Sequence, residues 1–126
     1  MKRPVIALCC ALAALTGCAS HNKYENEADK LTKAIVANDM TAVANDFAPS
    51  MQGQITRVKV AQLSDELNAQ GAYKSIKEND QNCMPAAHCF DVTFEKNAYR
   101  EVLTLDDHNK VTAWRIHMGA AGTALQ

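Results

Sequence analysis

Apolar side chains recur every three or four residues through the first half of the chain, a spacing typical of amphipathic helices. The pattern predicts a first helix that begins at Glu27, and a second that Asp39 caps and Pro49 ends. A third helix is predicted from its N-cap Thr56 to Gln70. The residues of the three apolar faces are Ala28, Leu31 and Ile35, then Met40, Val43 and Phe47, then Val60, Leu63 and Leu67.

The hydrophobic period falls to two residues after Gly71, which suits the C′ position of the third helix. Alternating apolar and polar positions predict four strands: "AYKSIKE" at 72–78, "CFDVTFEK" at 89–96, "YREVLTL" at 99–105 and "VTAWRIHM" at 111–118. The connections between the last three strands are short. We therefore expect an α+β domain in which three N-terminal helices pack on one face of a mainly antiparallel four-stranded sheet.

The strand pattern also separates the two faces of the predicted sheet. On the outward face, Arg115 and His117 are expected opposite Asp91 and Glu95, an ordinary cross-strand arrangement of charges. The side chains expected to face the helices are Phe90, Val92, Phe94, Leu103, Leu105, Trp114, Ile116 and Met118.

The N-terminal residues have the pattern of an export signal. A short basic stretch containing Lys2 and Arg3 precedes an apolar run over 5–15, which is shorter than the roughly 20 residues of a membrane-spanning helix. The run closes with "LTGC", which resembles a bacterial lipobox. The alternative is a cleaved signal in which Cys18 is incidental.

The lipobox resemblance implies that signal peptide 1–17 is removed and that Cys18 carries diacylglycerol and further acyl chains. Two or more chains make a stable membrane anchor. Residues 18–26 would then be the lipidated cysteine and a short tether, followed by one domain over 27–118 and a loose tail over 119–126. We expect a cell-envelope location. In a diderm bacterium, Ala19 and Ser20 indicate the outer membrane, facing the periplasm.

Charge excludes one class of partner. The chain has 13 basic and 14 acidic residues, and loss of Lys2 and Arg3 with the leader gives a formal charge of −3. Lysine and arginine are scattered among acids, so no nucleic-acid-binding surface is expected.

Two cysteines remain for the domain once Cys9, Cys10 and Cys18 are assigned to the leader and the lipid. In an oxidising compartment, the segment "NCMPAAHCF" predicts a disulfide between Cys83 and Cys89. The alternatives are free thiols or a metal site formed by these cysteines with His88. The metal site is disfavoured because a second paired half, such as C-x-x-C, is missing.

Three segments together resemble an uncharacterised bacterial extracytoplasmic family. They are "AIVANDMTAVANDFAPSM", "LNAQGAYKSIKE" and "LTLDDHNKVTAWRI". The resemblance covers roughly 27–118, and it implies the curved, cone-shaped fold of nuclear transport factor two and ketosteroid isomerase. The chain departs from that family in the 83–89 loop.

Candidate chemistry inside the cone is sparse. Catalysts with this fold are expected to hold an ionisable residue inside the cone, and Glu101 is the one such residue on the inward register. The simpler interpretation places Glu101 at the rim of the cone mouth. Tyr99 and Trp114 are candidates to form a ligand site with Glu101. No nucleophile, phosphate-binding or paired metal motif is present, and no cofactor is expected.

Two functions therefore remain. The favoured hypothesis is a non-catalytic envelope module, anchored through Cys18, that binds a protein or another envelope component. The alternative is a small apolar-ligand binder or weak enzyme that uses the cone mouth.

Overall fold

The computed structural model of the protein describes residues 22–119. The predicted leader 1–17, the predicted lipidation site Cys18 and almost all of the predicted tail 119–126 lie outside these residues. Within the described part of the chain, no helix is long and apolar enough to cross a membrane.

The first helix, α1, spans Lys23–Val36 and begins earlier than the predicted start at Glu27. Asn22 sets this start, because its side-chain oxygen accepts a hydrogen bond from the Glu25 amide over 2.8 Å. The segment predicted as a tether over 18–26 is therefore helical from Lys23 onward. The buried face of the helix consists of Ala28, Leu31, Thr32, Ala34 and Ile35.

The predicted second helix is replaced by two shorter segments, a 3₁₀ helix over Thr41–Asp46 and a helix α2 over Pro49–Gln52. The N-cap of the 3₁₀ helix is Met40 and not the predicted Asp39. Asp39 precedes the cap, and its Oδ1 accepts a hydrogen bond from the Thr41 amide over 2.9 Å. The prediction that Pro49 ends a helix is wrong. Pro49 lies in the first turn of α2, where its missing N–H leaves no helical hydrogen bond unmade.

Helix α3 spans Arg57–Asn68 and confirms its predicted N-cap, since Thr56 Oγ1 accepts a hydrogen bond from the Lys59 amide over 3.3 Å. Gly71 follows the helix with a φ of 84°, a left-handed conformation that favours glycine. A side chain at this position would also overlap the side chain of Glu95. Gly71 is therefore the residue that turns the chain from α3 into the sheet.

Four antiparallel strands form one sheet. They are β1 Tyr73–Glu78, β2 His88–Phe94, β3 Ala98–Leu105 and β4 Val111–Met118. Their order in the sheet is β1-β2-β3-β4. Helix α1 packs on β1, β2 and β3, which confirms the predicted α+β arrangement of N-terminal helices on a four-stranded antiparallel sheet.

The sheet face toward the helices carries the main core. Tyr99 on β3 pairs with Val92 on β2, and Leu103 on β3 pairs with Trp114 on β4. Met118, which was predicted to face inward, is 58% exposed because it ends the edge strand β4. The buried sheet residues of the core are Phe90, Val92, Phe94, Tyr99, Leu103 and Val111.

The opposite sheet face carries a second, smaller buried cluster formed by Cys89, Arg100 and Val102. The β1–β2 connection lies against it, and Arg100 donates from Nη2 to the Gln81 carbonyl over 2.6 Å. Arg100 also donates from Nη1 to Asp91 Oδ1 over 2.9 Å.

The expected pairing of Arg115 and His117 with Asp91 and Glu95 is wrong, because β3 lies between β2 and β4. Register places Arg100 directly opposite both Asp91 and His117, and it places Arg115 opposite Val102. The basic partner of Asp91 therefore comes from the middle of β3.

Candidate functional site

Glu101 lies in the centre of β3 with no exposed surface, so its predicted position at the rim of the cone is wrong. Thr32 Oγ1 on α1 donates to Glu101 Oε2 over 2.7 Å. Trp114 Nε1 on β4 donates to Glu101 Oε1 over 2.7 Å. Both carboxyl oxygens therefore have partners within the protein, and the three side chains connect a helix with two strands.

Burial raises the pKa of Glu101 to about 8. The two hydrogen bonds from Thr32 and Trp114 act in the opposite direction, and the nearby charge of Asp29 adds to the increase. At neutral pH the neutral acid is therefore the main form. Trp114 can only donate, whereas the Thr32 hydroxyl can turn to accept the acid proton, so the network can accommodate the protonated acid that burial favours.

Tyr99, the second predicted ligand-site residue, is buried but belongs to a different network. Its hydroxyl donates to Glu66 Oε1 on α3 over 3.3 Å. Burial, followed by the charge of Glu66, raises the pKa of Tyr99. The structure therefore brings together Glu101 and Trp114 but does not place Tyr99 in their network.

Trp114 also lines a cleft of about 320 Å³ between α3 and β4, which we call the α3–β4 cleft. Its volume is near the lower end of the range for small-ligand sites, and its walls are predominantly apolar. Phe47 supports the indole with an edge-on contact at a centroid distance of 6.3 Å. The apolar residues of the cleft are Ile35, Ile55, Val60, Leu63, Trp114 and Ile116.

The polar residues of the α3–β4 cleft are basic or neutral. Lys59, Arg115, His117 and Gln54 contribute to the lining, and none of the described lining residues is acidic. An apolar cleft bordered by cations favours a ligand that combines an apolar body with a negative group.

The predicted disulfide between Cys83 and Cys89 is present. It removes both thiols from the alternative metal site with His88. The His88 ring instead stacks on Tyr24 at a centroid distance of 3.5 Å, and His88 Nδ1 lies 2.8 Å from Glu78 Oε1. His88 therefore belongs to a different cluster, at the end of the β1–β2 hairpin where the connecting loop begins and ends.

Sequence reasoning missed two polar features. The buried Arg100 could have been noticed from strand register, since Arg100 is the cross-strand neighbour of Asp91. The contact between Glu78 and His88 could also have been expected from strand pairing, because the two residues lie at the same end of the paired strands β1 and β2.

Comparison with protein-family models, with curated proteins and with solved structures finds no match to this chain.

Proposed function

We propose that the protein is a lipid-anchored, non-catalytic binding module of a bacterial cell envelope, and that its α3–β4 cleft takes an apolar ligand with an anionic group. The observation that carries the non-catalytic part is the enclosure of Glu101 by Thr32 and Trp114. A general base must come within hydrogen-bonding distance of the proton that it removes. Both oxygens of Glu101 are instead engaged inside the core.

Glu101 has a positioning role in this proposal. Its Oε1 holds the indole N–H of Trp114, while the same indole forms part of the cleft wall. This hydrogen bond restricts rotation of the indole, and Phe47 packs against the indole ring. A preformed wall lowers the entropy cost of ligand binding.

The ligand class follows from the lining of the cleft. Leu63, Val60 and Ile116 offer apolar contact, and Lys59 and Arg115 are the cations that border it. Fatty acids and related single-chain amphiphiles combine these properties. A concave site of this size can hold one acyl chain, whereas the flat surface of a folded protein could not enter it.

The anchor would place this cleft close to such ligands. Asn22 caps α1, and it is separated from the proposed lipid attachment at Cys18 by four peptide links. Four links extend at most about 14 Å, so the domain would stay near the membrane surface. Amphiphiles that leave or enter the bilayer would then be locally concentrated around the domain.

The proposal can be tested through Trp114, the single tryptophan of the chain. The chain from Ala19 onward would be exported behind a signal without a lipobox, so that no attached acyl chain competes. The fluorescence emission of Trp114 would be followed during titration with sodium dodecanoate at concentrations too low for micelles to form. We expect a saturable change, and weaker binding of dodecanol, which lacks the anionic group.

A matched pair of α3 variants locates the site. Leu63→Glu places a carboxylate in the cleft and should weaken dodecanoate binding by more than about tenfold. Val58→Glu changes a residue that is 66% exposed and outside the lining, and it should bind like the native chain. No saturable response, equal binding of dodecanol, or equal effects of the two variants would contradict the proposal.

A further inference from the structure

Three potential metal ligands meet where β1 and β2 join their connecting loop. Glu78 ends β1, Asp80 follows it, and His88 begins β2. One ligating atom from each residue lies within 4.8 Å of the other two. This cluster involves neither Trp114 nor the lining of the α3–β4 cleft, so it is independent of the proposed function.

Neighbouring residues hold each member of the cluster in place. Tyr24 stacks on the His88 ring with an interplanar angle of 15°. Asp80 Oδ1 accepts a hydrogen bond from the Cys89 amide over 3.0 Å. The Cys83–Cys89 disulfide closes the same loop and limits its movement. These contacts orient the His88 ring and one carboxylate oxygen of Asp80.

Glu78 is oriented through both its backbone and its side chain. Its amide donates to Glu25 Oε2 over 3.2 Å, and Asn22 Nδ2 donates to its Oε2. These contacts leave Oε1 directed at His88 Nδ1, from which it is 2.8 Å away. Outer contacts of this kind orient the ligands in protein metal sites.

We propose that Glu78, Asp80 and His88 bind a divalent transition-metal ion of the zinc class. Imidazole nitrogen and carboxylate oxygens are a ligand set that Zn²⁺ accepts. Two carboxylates would balance the charge of the ion, and three protein ligands leave a fourth position for water or an external ligand.

The geometry needs only small adjustments to accommodate the ion. Metal–ligand bonds of about 2.1 Å in a tetrahedral site separate neighbouring ligand atoms by about 3.4 Å. The Glu78–His88 contact of 2.8 Å would open slightly, and Asp80, whose side chain is exposed, would move inward.

The simpler interpretation is an ion pair between Glu78 and protonated His88. That interpretation accounts for the 2.8 Å contact, but it predicts no specific affinity for a metal ion and no effect of Asp80 on metal binding. Metal titration therefore separates the two interpretations.

The experiment uses the full-length protein, exported so that the disulfide forms and purified in a nonionic detergent. Zinc chloride would be titrated by isothermal calorimetry into the native protein and into Glu78→Gln, Asp80→Asn and His88→Asn. The Asp80→Asn side chain keeps an oxygen for the Cys89 amide, so this variant should remain folded. Thermal unfolding would verify the fold of each variant.

We expect one zinc ion per chain, with affinity reduced at least tenfold in each of the three variants. His108→Asn is the matched control, because His108 is an exposed turn histidine beside Asp106 and outside the cluster. It should bind zinc like the native protein. Absence of saturable binding, or unchanged affinity in the folded Asp80→Asn and Glu78→Gln variants, would overturn the proposal.

Discussion

Trp114 Nε1 donates a 2.7 Å hydrogen bond to Glu101 Oε1, and this bond joins the edge strand β4 to the middle of the core. The same indole is part of the wall of the α3–β4 cleft. The buried carboxyl group is therefore connected to the proposed binding surface without being exposed there. The effect of changing Glu101 on stability and its effect on binding can be measured separately.

The contribution of Glu101 to protein stability should fall as pH rises from about 5 to 8, because burial raises the pKa of Glu101 from 4.5 to about 8. Below pH 4.5 the acid is protonated in both the folded and unfolded states. Between 4.5 and 8 the folded state retains a proton that the unfolded state releases, so stability decreases with pH. The loss is of the order of a few kcal/mol.

Glu101→Gln should remove this pH dependence. Its amide oxygen can accept from Trp114. Its amide nitrogen can donate to the Thr32 hydroxyl once that hydroxyl turns to accept, as it can for the protonated acid. Urea unfolding at pH 5, 7 and 9 would compare the two proteins. We expect the variant to be the more stable protein at pH 9, and equal pH slopes would contradict the assigned protonation state.

Asp91→Ala should destabilise the protein by about 2–4 kcal/mol, because it leaves the fully buried Arg100 without its ionic partner. Lys74→Ala is the matched control on β1, since it breaks an exposed pair with Glu95 and should cost less than about 1 kcal/mol. Chemical denaturation measures both free energies of unfolding. Equal losses would show that the Asp91–Arg100 contact contributes no more than a surface pair.

Joint replacement of Cys83 and Cys89 by serine should lower the free energy of unfolding by about 1–3 kcal/mol, because the disulfide restricts the unfolded chain. The variant should remain folded at room temperature, since the main core lies on the other face of the sheet. Mass analysis of freshly isolated native protein should show no alkylation of these residues without reduction. Two alkylated thiols would contradict the disulfide.

Cys18→Ser should abolish labelling of the protein by an alkyne analogue of palmitate, because the proposed lipid is attached to this sulfur. Cys10→Ser is the control, since Cys10 lies in the proposed leader and its loss should leave labelling unchanged. Gel shift of labelled protein in membrane fractions provides the measurement. Continued labelling of the Cys18→Ser protein would contradict the proposed anchor.

Local periodicity predicted much of the fold. Strand β4 has its predicted bounds, 111–118, and apolar and polar residues alternate in it from Trp114 to Met118. Thr56 was found as a cap because its role depends on the Lys59 amide only three residues away. The second helix was mispredicted because Pro49 is compatible with both the end and the first turn of a helix.

The candidate site could not be predicted as well, because its contacts are distant in the sequence. Glu101 is enclosed by Thr32, which is 69 positions away. Arg100 is buried because Gln81 and the disulfide loop lie against the outward face of the sheet. Neither alternation nor helical spacing encodes such contacts, since both describe only which side chains share a face.

The most direct test of the binding account compares Glu101→Gln with Leu63→Glu in the Trp114 fluorescence titration with dodecanoate. If Glu101 only positions the indole, Glu101→Gln should retain the native dissociation constant, because glutamine preserves the hydrogen bond to Trp114. Leu63→Glu should weaken binding by more than about tenfold. A folded Glu101→Gln protein that no longer binds dodecanoate, beside a Leu63→Glu protein that still does, would contradict the account.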